Sequence, residues 1–137
     1  MSLKTELVIF DWDGTLYNSV GQIVASLQHA AEEHKLTLTD EAAKSIIGLG
    51  LPEVMQTLFP EVPDLHDSIL KAYGDHYIAN STNDAWFEGI SELLHDLKAQ
   101  GLKLAVATGK NRRGLDRVIA KTQSTHLFDV TRAANET

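Results

Sequence analysis

Residues 7–19 read LVIFDWDGTLYNS, an apolar run that leads straight into two aspartates one position apart, Asp11 and Asp13. Residues 6–10 have the short, almost wholly apolar character of a central parallel strand covered on both faces. Side chains alternate across an extended chain, so Asp11 and Asp13 project to one side and Trp12 to the other. Open parallel sheets bind ligands at the carboxyl ends of their strands, which is where this pair falls. Two carboxylates held close repel each other unless a cation or a shared proton relieves them, so a hard divalent ion such as Mg2+ is the natural third party. Gly14 lets the backbone turn tightly, and Thr15 adds a hydroxyl. For a bare Asp-x-Asp the competing reading is a strand that ends in a polar turn. The full D-W-D-G-T-L after an apolar strand is much more specific.

Downstream the period changes. Val20, Ile23, Val24, Leu27, Ala30 and Ala31 recur at spacings of three and four, which predicts an amphipathic helix from Val20 to His34. Thr39 is placed to cap a helix over 40–47 that ends at Gly48, and Pro52 suits the first turn of a short helix to Phe59. Pro63 opens another, with Leu65, Ile69, Ala72, Tyr73 and Tyr77 along one side. The polar run over residues 80–84, NSTND, reads as a linker. Beyond it, Ile90, Leu93, Leu94 and Leu97 mark a helix stopped at Gly101, and residues 102–107 form a second strand. A helix over 111–121 and a weaker strand over 128–133 follow. Strands separated by helices imply right-handed crossovers and a parallel sheet, so the all-helical stretch from about residue 17 to 83 is an insertion after the first strand.

Bulk properties narrow the function classes. The chain has 137 residues, enough for one ordinary core or a modest core with a smaller lobe. With 43% hydrophobic and 23% charged residues it has the composition of a globular protein. A net charge of -7, from 12 Lys and Arg against 19 acids, argues against a nucleic-acid groove. The absence of cysteine excludes disulfides and thiolate chemistry and permits a reducing compartment. No apolar run approaches the roughly 20 residues of a membrane span, and no signal core is visible, so a cytoplasmic protein is expected.

A second motif closes the second strand: Ala105-Val106-Ala107-Thr108-Gly109-Lys110. The Thr108 hydroxyl and the amides after it could hold a phosphate oxygen at the start of the next helix. Alone, Thr108 and Gly109 read as a strand end and a turn; paired with the first motif, the phosphate reading is stronger. Lys110, Arg112 and Arg113 form a basic cluster that is either a solvated helix start or a phosphate-facing group. None of the six histidines has the helical spacing of a metal site with an acid between.

With these motifs the chain resembles the haloacid dehalogenase-like hydrolases, and within them phosphatases similar to phosphoglycolate phosphatase. The resemblance implies an α/β fold: a Rossmann-like parallel sheet core, partial here, over residues 1–16 plus 84–137, with an inserted helical cap over 17–83. It implies roles as well. Asp11 is the expected nucleophile towards phosphorus, and Asp13 the acid that protonates the leaving oxygen and then activates water. The carboxylate of Asp11 and the backbone carbonyl of Asp13 are expected to hold Mg2+. Thr108, Gly109 and Lys110 are the expected substrate-binding residues. True dehalogenases lack the second aspartate, so Asp13 favours phosphoryl transfer. The loop Gly48-Leu49-Gly50 reads either as a cap loop that faces the site, as the resemblance implies, or as a plain helix end followed by a turn. The expected substrate is a small phosphorylated metabolite, phosphoglycolate being the resemblance's suggestion.

The family's third motif, a lysine, and its fourth, acidic motif are not found before residue 137. Lys121 falls too early, inside a helix pattern, and Lys110 is a possible substitute. Weak or absent turnover is therefore expected of these residues, with an exposed sheet edge that favours self-association. A non-catalytic binding or assembly module is the alternative. A signalling receiver domain fits worse, since receivers lack a helical insertion of this size after the first strand.

Overall fold

The computed structural model describes residues 5–80 and 85–136. The linker expected over 80–84 lies outside the described residues except for Asn80, the last residue of a helix. The element order is β1 (Leu7–Phe10), α1 (Val20–Glu33), α2 (Asp40–Lys44), α3 (Leu51–Leu58), α4 (His66–Asn80), α5 (Ile90–Ala99), β2 (Lys103–Ala107), α6 (Arg112–Thr122) and β3 (Val130–Arg132). The protein is thus α/β, with a helical insertion after the first strand. Among the described residues no helix is long and apolar enough to cross a membrane.

The three strands are parallel in the order β1-β2-β3, with Phe10 opposite Val106 and Ala105 opposite Val130. Neighbouring strands in sequence order joined by right-handed crossovers put both connecting helices on one face. On that face Val8, Phe10, Leu104 and Val106 pack with Leu94 of α5 and with Leu115 and Val118 of α6. The opposite face carries Leu7, Ile9 and Val130, which are 44%, 61% and 41% exposed. The expectation of a strand covered on both faces is therefore corrected: among the described residues β1 lies at the sheet edge with one face open. An apolar run reports what a strand could bury, not which elements are present to cover it.

The insertion builds its own core. The apolar stripe of α1 is buried at Ile23, Val24, Leu27, Ala30 and Ala31, against Ile69 and Tyr77 of α4 and Val54 and Met55 of α3. Leu27 is 1% exposed, so its truncation to alanine would cost about 2–5 kcal/mol. The local signal acts as read at Thr39, whose hydroxyl accepts from the Ala42 N–H at 3.1 Å; the structure adds a cap at Asn111, whose side chain accepts from the Gly114 N–H at 2.8 Å. Helix α2 stops at Lys44, short of the expected Ile47, and the chain then turns at Gly48, φ +98°. Leu93, expected on the buried face of α5, is 42% exposed.

Two chain segments join the helical lobe to the sheet, and they are tied together. The Asn18 N–H donates to Ala85 O at 2.7 Å, and the Phe87 N–H to Leu16 O at 3.1 Å. Leu16 and Tyr17 pack into the sheet-side core, where the Tyr17 and Trp86 rings meet edge to face at 5.7 Å.

Candidate active site

The first motif is held by its own turn. Trp12 is fully buried, and its carbonyl oxygen accepts from the N–H groups of Thr15, Leu16 and Tyr17 at 3.0–3.2 Å. Gly14, φ +78°, makes that reversal in the left-handed region, where a side chain is strained. Anchoring Trp12 in the core turns Asp11 and Asp13 the other way.

The two carboxylates have different surroundings. Asp11 Oδ1 accepts from the Trp12 N–H at 2.7 Å, and a side chain built on Gly48 would begin 3.7 Å from Asp11 Oδ2. Asp13 Oδ1 accepts from the Ser19 hydroxyl at 2.7 Å, and Lys110 Nζ stands 3.4 Å from its Oδ2. Both partners of that ion pair are 13% exposed, so it is shielded from solvent far more than a surface pair.

The second motif arrives through the sheet. Phe10 and Val106 are in register, so the residues that follow β1 and β2 emerge side by side. The Thr108 N–H donates to Arg132 O at 3.1 Å, and its hydroxyl oxygen accepts from the Lys110 N–H at 3.1 Å. That leaves the hydroxyl hydrogen available to donate. Gly109 lies against the backbone of Gly48 and Leu49, so the helical lobe's loop is seated directly on the second motif.

The basic cluster divides. Lys110 faces Asp13, and Arg113 lines the cavity beside it. Arg112 points elsewhere: it donates to Asp116, Thr131 and Glu136 and braces the end of β3.

Asp13, Thr108, Gly109 and Lys110 all line one cavity of about 570 Å3 between the helical lobe and the sheet. Sequence reasoning missed four neighbours of this site: Ser19, Tyr73, Tyr77 and Arg117. Ser19 occupies the N-cap position of α1, and a serine there is ordinarily spent on the helix. Its side chain makes no cap bond and donates to Asp13 instead. Tyr73 and Tyr77 belong to the apolar stripe of α4. Burial, with the Asp13 charge adding to it, pushes the Tyr73 phenol well above its ordinary value, so it stays neutral.

Among the described residues no three His, Cys, Asp or Glu side chains gather around one point. Asp11 Oδ2 and nearby backbone carbonyls remain as donors. Mg2+ keeps several waters and is commonly held by one or two carboxylates together with substrate phosphate oxygens, so this sparse oxygen set fits it.

Comparison with known proteins follows the same lines. Tyrosine-protein kinase PtkA of Mycobacterium tuberculosis is 31% identical over 132 residues, covering 95% of this chain and 45% of that protein. Its solved structure superposes with a TM-score of 0.80 over 95% of this chain and 60% of its own. Phosphoglycolate phosphatase of Mannheimia succiniciproducens is 31% identical over 142 residues, covering 96% of this chain and 63% of that protein. A hydrolase from Pseudomonas syringae, 22% identical, shares the fold with a TM-score of 0.83 over 98% of this chain and 62% of that one. The chain thus spans less than two thirds of the length of each of these relatives. The family model described as haloacid dehalogenase-like hydrolase matches residues 8–137, from within β1 through both motifs. With that match spanning nearly the whole chain, the assignment is direct: the chain belongs to the haloacid dehalogenase-like hydrolases.

Proposed function

We propose that the chain carries the nucleophile, the acid–base group and the phosphate-binding loop of a Mg2+-dependent phosphomonoester hydrolase that works through an aspartyl-phosphate. The observation that carries the reading is the partly buried Asp13–Lys110 pair at 3.4 Å, next to Asp11 at the carboxyl end of a parallel strand. Asp11 Oδ2 attacks phosphorus, the bond to the ester oxygen breaks, and Asp13 gives that oxygen its proton. Asp13 then takes a proton from the water that hydrolyses the acyl phosphate and frees Asp11. Thr108 and Lys110 meet the phosphate oxygens. Asp11 and the backbone carbonyl of Asp13 would hold Mg2+, which when bound supplies charge neutralisation to the phosphoryl oxygens. Residues 17–83 act as the cap over the site, and a cytoplasmic location agrees with the absence of cysteine.

Phosphoglycolate is the first substrate to try, since it is named for one of the relatives. Turnover by these residues alone is expected to be weak, because Lys110 is the only lysine or arginine in contact with the acidic pair among the described ion pairs. The test is twofold. With Mg2+ and a fluoroberyllate phosphoryl mimic, 19F NMR should show a bound adduct that disappears in Asp11→Asn. Hydrolysis of p-nitrophenyl phosphate should depend on Mg2+ and fall in the same variant. An adduct that survives in Asp11→Asn, or equal hydrolysis by both proteins, would remove Asp11 as the nucleophile.

A second, non-catalytic reading is self-association, which the open edge of β1 and the exposed Leu7, Ile9 and Val130 favour. Sedimentation at high protein concentration should then show a dimer that Ile9→Lys disperses; a parent that stays monomeric would exclude it.

A further inference from the structure

A lysine that grips phosphate has to offer its charge at one point, yet its long aliphatic stem has many rotamers. A ligand that must first fix such a side chain binds more weakly for it. Lys110 is fixed in advance, and its stem and its head are held by different groups.

The stem lies along the first turn of α6. A Cβ built on Gly114 would begin 3.2 Å from Lys110 Cγ and 3.5 Å from its Cδ, so the stem runs where a side chain at Gly114 would sit. Glycine within a helix is unfavourable relative to alanine, and here it leaves that space to Lys110. The head is placed by two neighbours. The ammonium stands 3.4 Å from Asp13 Oδ2, on a side chain only 13% exposed, and its Nζ is 5.1 Å from the centroid of the Tyr77 ring. Tyr77 comes from α4 in the helical lobe and is itself buried. Arg117 Cζ is 5.5 Å from the same centroid, so the segment from Lys110 to Arg117 brings two cations to one ring. An aromatic face attracts a cation within about 6 Å, most strongly where water is excluded. Tyr73, one helical turn before Tyr77, is close enough for the Asp13 charge to act on its phenol, so the inner side of α4 reaches the polar centre at two points.

We infer that Tyr77 is a positioning residue for phosphate binding: its ring holds the Lys110 ammonium beside Asp13, ready to meet a phosphate oxygen, and makes that grip depend on the helical lobe. This rests on Lys110 being a phosphate ligand, as the phosphatase reading has it. The ring acts through Lys110 and touches no substrate. A ring suits the task better than a second carboxylate would. A carboxylate would hold the ammonium but also repel the incoming phosphate, whereas an aromatic face attracts a cation without carrying net charge. The ammonium has three N–H donors, so it can face Asp13 and the ring and still donate to a phosphate oxygen.

The test is calorimetric binding of inorganic phosphate, with Mg2+, to the intact chain and to Tyr77→Leu, Tyr77→Phe, Lys110→Met and the double variant of Tyr77→Leu with Lys110→Met. A desolvated cation on a ring is held by up to about thirtyfold, so Tyr77→Leu, which keeps an apolar body, should weaken phosphate binding by at least about threefold. Tyr77→Phe keeps the ring and should stay within about twofold of the parent, and in the Lys110→Met background Tyr77→Leu should change the affinity by less than about twofold. Equal affinity in the parent and Tyr77→Leu overturns the proposal. So does an equal loss in Tyr77→Phe, which would assign the effect to the hydroxyl, or an undiminished loss in the Lys110→Met background, which would make Tyr77 a packing residue only; in each case the phosphate site stands. Should circular dichroism show that Tyr77→Leu does not fold, the parent decides: its phosphate-bound form should give nuclear Overhauser contacts between the Lys110 Hε and Tyr77 ring protons, and their absence overturns the proposal. If the parent binds no phosphate, the proposal falls together with the phosphatase reading.

Discussion

Gly109→Ala tests how the helical lobe is seated on the sheet. A Cβ at this position would overlap the carbonyl oxygen of Gly48 and lie 2.9 Å from the carbonyl carbon and 3.0 Å from the carbonyl oxygen of Leu49. All three are backbone atoms, so no side-chain rotation relieves the contact and one loop must move. Gly109 does not have the positive φ of Gly14 or Gly48, so the penalty is one of space and not of backbone strain. Forcing an extra methyl into a closed contact costs about 1–3 kcal/mol. At roughly 4 °C per kcal/mol for a chain of this size, the melting temperature should fall by about 4–12 °C.

Thermal unfolding followed by circular dichroism measures this directly, with Gly21→Ala as the control. Gly21 lies in α1, is exposed, and has nothing within 4 Å of a built Cβ. That change should stabilise the protein by up to about 1 kcal/mol, through helix propensity. A Gly109→Ala variant that melts within about 1 °C of the parent would show that the loop over 48–50 does not rest on the second motif in solution.

Lys110→Met should weaken inorganic phosphate binding by at least about tenfold, since a charge-assisted contact is worth roughly 1.5–3 kcal/mol; calorimetry that finds equal affinity would detach Lys110 from the site. Tyr73→Phe should flatten an alkaline loss of stability. The folded state holds the Tyr73 proton more tightly than the unfolded chain, so stability is unaffected below the ordinary phenol value of about 10 and falls as pH rises above it. At the acid end, the Asp129 carboxylate accepts from Lys98 and from the Leu104 N–H, and the Glu136 carboxylate accepts from Arg112 and from the Ala133 N–H; these hydrogen bonds hold both acids below the ordinary carboxylate range. Their contributions are present above the ordinary carboxylate range near pH 4 and are lost as pH falls through the lowered folded values, so Asp129→Asn and Glu136→Gln should each flatten the acid limb of a stability–pH curve.

What was legible in advance, and what was not, follows from which interactions are local. The first motif could be read because its signals are all short-range: an apolar strand, a buried tryptophan between two acids, and a glycine where the chain reverses. The cap residue Thr39 could be read for the same reason, since its bond reaches only three positions ahead. The Lys110–Asp13 pair could not. It depends on β1 and β2 lying parallel with Phe10 opposite Val106, which brings the two strand ends together, and register between distant segments leaves no trace in either. Tyr73 and Tyr77 were hidden differently. Their spacing marks the inner face of α4, but the same period serves a residue packed in a core and one facing a cavity. Ser19 was masked by a stronger local meaning, as a helix cap, that the fold overrides to hold Asp13. Thus the acidic pair was visible while the groups that surround it were not: chemistry at a strand end is written in consecutive residues, whereas the cavity facing it is assembled from α1, α4 and α6.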